Sequence, residues 1–160
     1  MRGRIPPLAL LIGVLGLIPF VMLSLGSVSA NTARDQVSVL LLIGWGAVIL
    51  SFLGGVHWGF ALEDEAPPAE RSRLVLGVVP ALIGWVSFAV SLSMAAATIG
   101  LAVLIAGYVG TIVVEWRASR RDLLPAGYIW LRLGLTVVVV ALLTTVVVLR
   151  LVGAHLLFGF

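Results

Sequence analysis

Five stretches of about 20 or more mostly apolar residues dominate this chain, and nothing else limits its fold so strongly. About 20 such residues in a helix cross roughly 30 Å of hydrocarbon. Within that layer a backbone must satisfy its own hydrogen bonds, which selects helices for segments of this length. The stretches predict spans at about 6–25, 36–62, 74–92, 95–114 and 128–152. The expected fold is therefore all-α: one polytopic membrane domain, residues 1–160, built as a bundle of five transmembrane helices. Composition agrees, with 61% hydrophobic and 11% charged residues against about 25% charged in soluble domains.

The first span opens after Arg2 and Arg4, with Pro6 and Pro7 suited to a helix start and Pro19 expected to kink its interior. A signal peptide is the rival reading, since Val28-Ser29-Ala30 resembles a cleavage site. The apolar stretch is longer than the usual core of about 7–15 residues, so the segment is read as a retained span. Seven arginines (Arg2, Arg4, Arg71, Arg73, Arg117, Arg120 and Arg121) flank one set of span ends, against Arg34 and Arg150 on the other. That asymmetry predicts the N-terminus inside and the C-terminus outside. The basic balance thus concerns orientation, and nucleic acid is not an expected partner. With no cysteine, disulfide and thiolate chemistry are excluded.

The second span ends in Ser51-Phe52-Leu53-Gly54-Gly55-Val56-His57-Trp58-Gly59, followed by the acidic run Glu63-Asp64-Glu65. Gly44, Ala47, Ser51, Gly55 and Gly59 recur at steps of three or four, with Gly54 on the neighbouring stripe. Gly44, Ser51, Gly54, Gly55 and Gly59 are expected to form a close-packing face, and Gly55 with Gly59 makes a GxxxG pair. His57 is an ionisable residue in an apolar span, which makes it a candidate site. It could equally be an interfacial histidine bonded to backbone or water. Tyr108, Thr111 and Glu115 share a stripe of the fourth span, and Arg132, Thr136, Val140 and Thr144 one of the fifth. Arg132 either snorkels to the interface, pairs with Glu115 or Glu63, or clamps an anionic head group. His57, Trp58, Glu115 and Arg132 are therefore the candidate ligand or ion-pair residues. Trp116, Tyr128 and Trp130 fit an interfacial aromatic belt. His155, the other histidine, falls on the opposite side by topology, so no metal site is expected. No phosphate loop, GxSxG or HExxH pattern occurs, and no catalytic set is assigned.

Several motifs carry a family resemblance: Leu17-Ile18-Pro19-Phe20, the Ser51–Gly59 stretch, Val79-Pro80-Ala81-Leu82-Ile83-Gly84-Trp85, and Leu124-Pro125-Ala126-Gly127-Tyr128-Ile129-Trp130-Leu131-Arg132-Leu133-Gly134-Leu135-Thr136. Through them the chain resembles the transmembrane protein 69-like family, domain of unknown function 3429, over nearly its whole length. Glu115 stands where that family's pattern suggests an aspartate. The resemblance implies a bacterial inner (cytoplasmic) membrane location and brings no activity or site residues with it. The five-span translocator class has a proline- and tryptophan-rich first loop that is missing here.

Three functions are open on these residues. The leading one is a non-enzymatic binding or assembly factor with a polar site at the cytoplasmic leaflet. The second is a small transporter or proton-linked carrier using His57, Glu115 and Arg132. The third is a membrane enzyme acting on a lipid-like substrate. Candidate partners are membrane lipids, a second copy or another membrane protein, and a lipid, quinone or porphyrin ligand; no particular cofactor is indicated.

Overall fold

The computed structural model describes residues 7–29, 31–61, 70–93, 96–120 and 126–153. Arg2, Arg4, Ala30, the acidic run Glu63-Asp64-Glu65, Arg121 and His155 lie outside the described residues. Six helices follow one another: α1 (Pro7–Leu15), α2 (Leu17–Gly26), α3 (Thr32–Ala61), α4 (Glu70–Ser91), α5 (Ala97–Ser119) and α6 (Ala126–Val152). Since α1 and α2 are two halves of one span, five units among the described residues are long and apolar enough to cross a membrane. They cover Pro7–Gly26, Thr32–Gly59, Leu74–Ser91, Ala97–Ser119 and Gly127–Val152.

Pro19 explains the divided first span. It has no N–H to offer the Leu15 carbonyl four residues earlier, and the helix breaks directly after Leu15. The Trp45 indole N–H of α3 donates to the Gly16 carbonyl at 3.3 Å, which ties the break to the bundle. Two predicted boundaries move. Asn31 accepts the Arg34 amide at 3.2 Å, the geometry of an N-cap, and α3 starts at Thr32. The fourth span extends helically through Glu115 and Trp116 to Ser119, residues expected in a loop. Burial of Glu115 among neighbouring helices holds that extra turn in place.

The core lies where α2, α3, α5 and α6 meet. Phe20, Val39, Leu42, Ile43, Leu50, Leu101, Leu104, Tyr108, Val139, Leu143 and Val146 are buried there. Phe20 meets Tyr108 edge-on, with centroids 6.5 Å apart. The Tyr108 hydroxyl donates to the Gly46 carbonyl at 2.9 Å, joining α5 to α3. Leu8, Leu11, Phe52, Trp85 and Leu151 point outward. Helices apolar on all sides are those of a membrane.

Helices in lipid gain little from hydrophobic burial and associate through close packing instead. On α3 the seam toward α4 runs through Gly44, Ala47, Gly54 and Trp58. A Cβ on Gly54 would collide with the Gly77 carbonyl oxygen, and one on Gly77 with the Trp58 ring. Gly84 rests on Ala47, where a Cβ would come within 3.0 Å of the Ala47 Cα. Gly44 lies against Phe88. Gly55 and Gly59, expected on the same face, meet no neighbour within the described chain: a Cβ on either would have nothing within 4 Å. At 3.6 residues per turn, the steps 47, 51, 54, 58 stay on one stripe, and Gly55 and Gly59 rotate away from it. Ser51 turns its hydroxyl back to the Ala47 carbonyl at 2.7 Å. Between α4 and α5 the Ser87 hydroxyl donates to the Gly100 carbonyl at 2.7 Å.

Candidate functional site

His57 lies four residues before the end of α3, Glu115 four before the end of α5, and Arg132 in the second turn of α6. The alternating helix directions bring these ends together. Glu115 Oε1 is 3.3 Å from His57 Nε2, and its Oε2 is 3.1 Å from Arg132 Nε. Glu115 is completely buried, and His57 and Arg132 are 5% and 4% exposed. A carboxylate at this depth requires a cationic or hydrogen-bonding partner, and here it has one on each oxygen.

Both contacts are at ion-pair distance without hydrogen-bond alignment among the described residues. Arg132 Nη1 donates to the Thr136 hydroxyl at 2.6 Å, so the guanidinium is anchored along its own helix. Glu115 and Arg132 are of opposite charge, and His57 stands on the second carboxylate oxygen. Tyr128 interacts with both Glu115 and Arg132. Read on sequence as part of the aromatic belt, it also takes part in this cluster. Trp116 and Trp130 stack edge-on beside it, with centroids 5.9 Å apart, and the Arg120 guanidinium lies 5.7 Å from the Trp116 ring centroid.

Of the four candidate residues, the fold joins His57, Glu115 and Arg132. Trp58 lies apart: its indole N–H donates to the Leu74 carbonyl at 3.1 Å, within the α3–α4 seam. His57 also forms one wall of a cavity of about 200 Å³ between α4 and α5. Leu76, Val79, Pro80 and Ile83 line it from α4, and Gly107, Gly110, Thr111 and Val114 from α5. Thr111 directs its hydroxyl to the Gly107 carbonyl at 2.7 Å, leaving oxygen lone pairs for an incoming donor. Glu115 and Arg132 are not on the cavity wall. Glu115 contacts His57 from outside that wall, and Arg132 contacts Glu115 in turn. Among the described residues, no three His, Asp or Glu side chains group closely enough to hold a metal ion.

A second ion pair went unrecognised in the sequence. Arg150 Nη1 donates to Asp35 Oδ1 at 2.6 Å and to the Ser27 carbonyl at 3.2 Å. An arginine inside the fifth span and an acid opening the second were the available signal. Asp35 and His57 are 22 residues apart on α3, and Arg132 and Arg150 are 18 apart on α6. At 1.5 Å per residue the two clusters lie about 27–33 Å apart, close to the hydrocarbon thickness of roughly 30 Å.

Five apolar helical spans, joined near one end by a buried ion pair and near the other by a half-buried one, define an integral multi-pass membrane protein. Residues 5–148 match the family described as "Protein of unknown function (DUF3429)", and the chain belongs to that family. Among its relatives, Transmembrane protein 69 of Xenopus tropicalis is 40% identical over 83 residues, which are 51% of this chain and 32% of that protein. Transmembrane protein 69 of Mus musculus is 35% identical over 83 residues, 50% of this chain and 33% of that protein. The matched stretch thus spans about a third of the length of these relatives. No solved structure gives a significant match.

Proposed function

We propose that this protein is a non-enzymatic binding or assembly factor of a bacterial inner membrane, whose ligand sits in the cavity between α4 and α5 with its polar end at His57. The observation that carries this reading is an apolar cavity with a fixed histidine and a threonine in its wall. Such a lining, mostly apolar with a few placed polar groups, is the usual character of a small-molecule site. Its volume of about 200 Å³ is below the roughly 300–1,000 Å³ of sites for drug-sized ligands. A single quinone ring or the first carbons of a lipid fits, with the remaining chain lying between helices, whereas a porphyrin macrocycle is too large. The arginine asymmetry supports placing this end of the bundle on the cytoplasmic side, with the N-terminus inside and the C-terminus outside.

The test is extraction of the protein in native-membrane nanodiscs, with mass spectrometry of the molecules that come with it. A Cβ on Gly110 would have nothing within 4 Å, so Gly110→Phe fills the cavity without striking backbone. Wild type is expected to carry a quinone or distinct lipid that Gly110→Phe loses. Wild type carrying bulk lipid alone, or Gly110→Phe retaining the same ligand, rejects the reading.

A proton-linked carrier is the second reading. It is favoured by the incomplete hydrogen bonding of Glu115 and Arg132, which leaves the cluster able to rearrange. Proteoliposome flux that persists in His57→Ala would eliminate it.

A further inference from the structure

At the far end of the bundle, a hollow of about 520 Å³ opens between the last turns of α2 and the first two of α3. We infer that it binds the headgroup of an acidic phospholipid. The wall combines two chemistries: Met22, Leu23 and Leu25 are apolar, and Ser29, Arg34 and Ser38 are polar. Met22 and Leu25 are 65% and 49% exposed on the outer face of a membrane-crossing helix, so an acyl chain can lie along them. Arg34 immediately precedes Asp35, the partner of Arg150, in the first turn of α3, which places the polar residues at a span end where lipid phosphates reside.

Charge favours an anion. Among the described residues the ionisable groups at this corner are Arg34, Asp35 and Arg150, a balance of one positive charge. Asp35 faces Arg150 at 2.6 Å, which reduces its repulsion of an incoming phosphate. Arg34 is exposed, and its guanidinium has five N–H donors, enough to share between protein and phosphate. The positive end of the 30-residue helix α3 is at the same corner. A free phosphate would use the charge alone. The apolar half of the wall is what assigns the site to a lipid.

Native mass spectrometry of the full chain in micelles tests this, with phosphatidylglycerol and phosphatidylcholine of matched acyl chains as probes. Wild type is expected to retain phosphatidylglycerol preferentially. Arg34→Gln should lower that preference about five-fold, the effect of one interfacial arginine, while Arg34→Lys retains it. Met22→Trp, which fills the hollow without changing charge, should reduce retention of phosphatidylglycerol. Arg117→Gln at the opposite end should change nothing. Equal retention of the two lipids, or a preference unmoved by both Arg34→Gln and Met22→Trp, overturns the inference. Full competition by glycerol phosphate alone overturns it too, because the site would then recognise a soluble anion.

Discussion

Replacing Glu115 by glutamine keeps its shape and removes its charge, leaving the Arg132 guanidinium buried with Thr136 as its hydrogen-bond acceptor. At the 3.1 Å separation of Oε2 and Nε, the attraction is about 5 kcal/mol for an effective dielectric of about 20. Much of this offsets the desolvation of both groups, but removing one partner exposes the full penalty of the other. Glu115→Gln is therefore expected to destabilise the protein by about 3–5 kcal/mol. Arg132→Gln should cost less, because a stranded carboxylate can take up a proton whereas a guanidinium cannot lose one. The double variant, with no buried charge, should recover much of the loss. The assay is equilibrium unfolding in mixed micelles of increasing SDS fraction, read by tryptophan fluorescence and closed as a double-mutant cycle. If Glu115→Gln falls within about 1 kcal/mol of wild type, or the two single effects simply add, the pair is not held as a desolvated unit and the reasoning fails.

The α3–α4 seam gives a paired comparison: Gly54→Ala should cost about 1–3 kcal/mol through overpacking against Gly77. Gly55→Ala should be neutral or stabilising by up to about 1 kcal/mol from helix propensity, and thermal unfolding in detergent separates the two. Asp35→Asn weakens the charge-assisted bond to Arg150, with an expected loss of about 1.5–3 kcal/mol and faster proteolysis after Gly26, where α2 ends. Tyr108→Phe removes the bond to the Gly46 carbonyl and should cost about 0.5–1.5 kcal/mol in the same unfolding assay. Orientation can be read cleanly because the chain has no native thiol. In intact cells an impermeant maleimide should label Asn31→Cys and spare Arg120→Cys, and the reverse pattern would invert the topology.

The spans were legible because twenty apolar residues have few other fates, and the break at Pro19 because a missing N–H acts locally. The stripes holding Tyr108, Thr111 and Glu115, and Arg132 with Thr136, were legible for the same reason: helical period fixes which residues share a face. What periodicity does not contain is the partner of each face. Gly54 and Gly55 are adjacent in sequence, and only the approach of α4 distinguishes the packed glycine from the open one. Trp58 and Tyr128 both read as interfacial aromatics, yet one serves the α4 seam and the other the ion cluster. Asp35 and Arg150, 115 residues apart, could be matched only by folding the chain.

Helix α3 has 30 residues, about 45 Å of rise, and so exceeds the roughly 30 Å hydrocarbon layer. A helix that is too long for its bilayer tilts, and the tilt follows local thickness. This helix carries Asp35 near one end and His57 near the other, each held by a charge on a different helix. It is thus a lever with a polar latch at either tip. Any change in the tilt of α3 would therefore be felt at both contacts at once, because each joins it to a different helix.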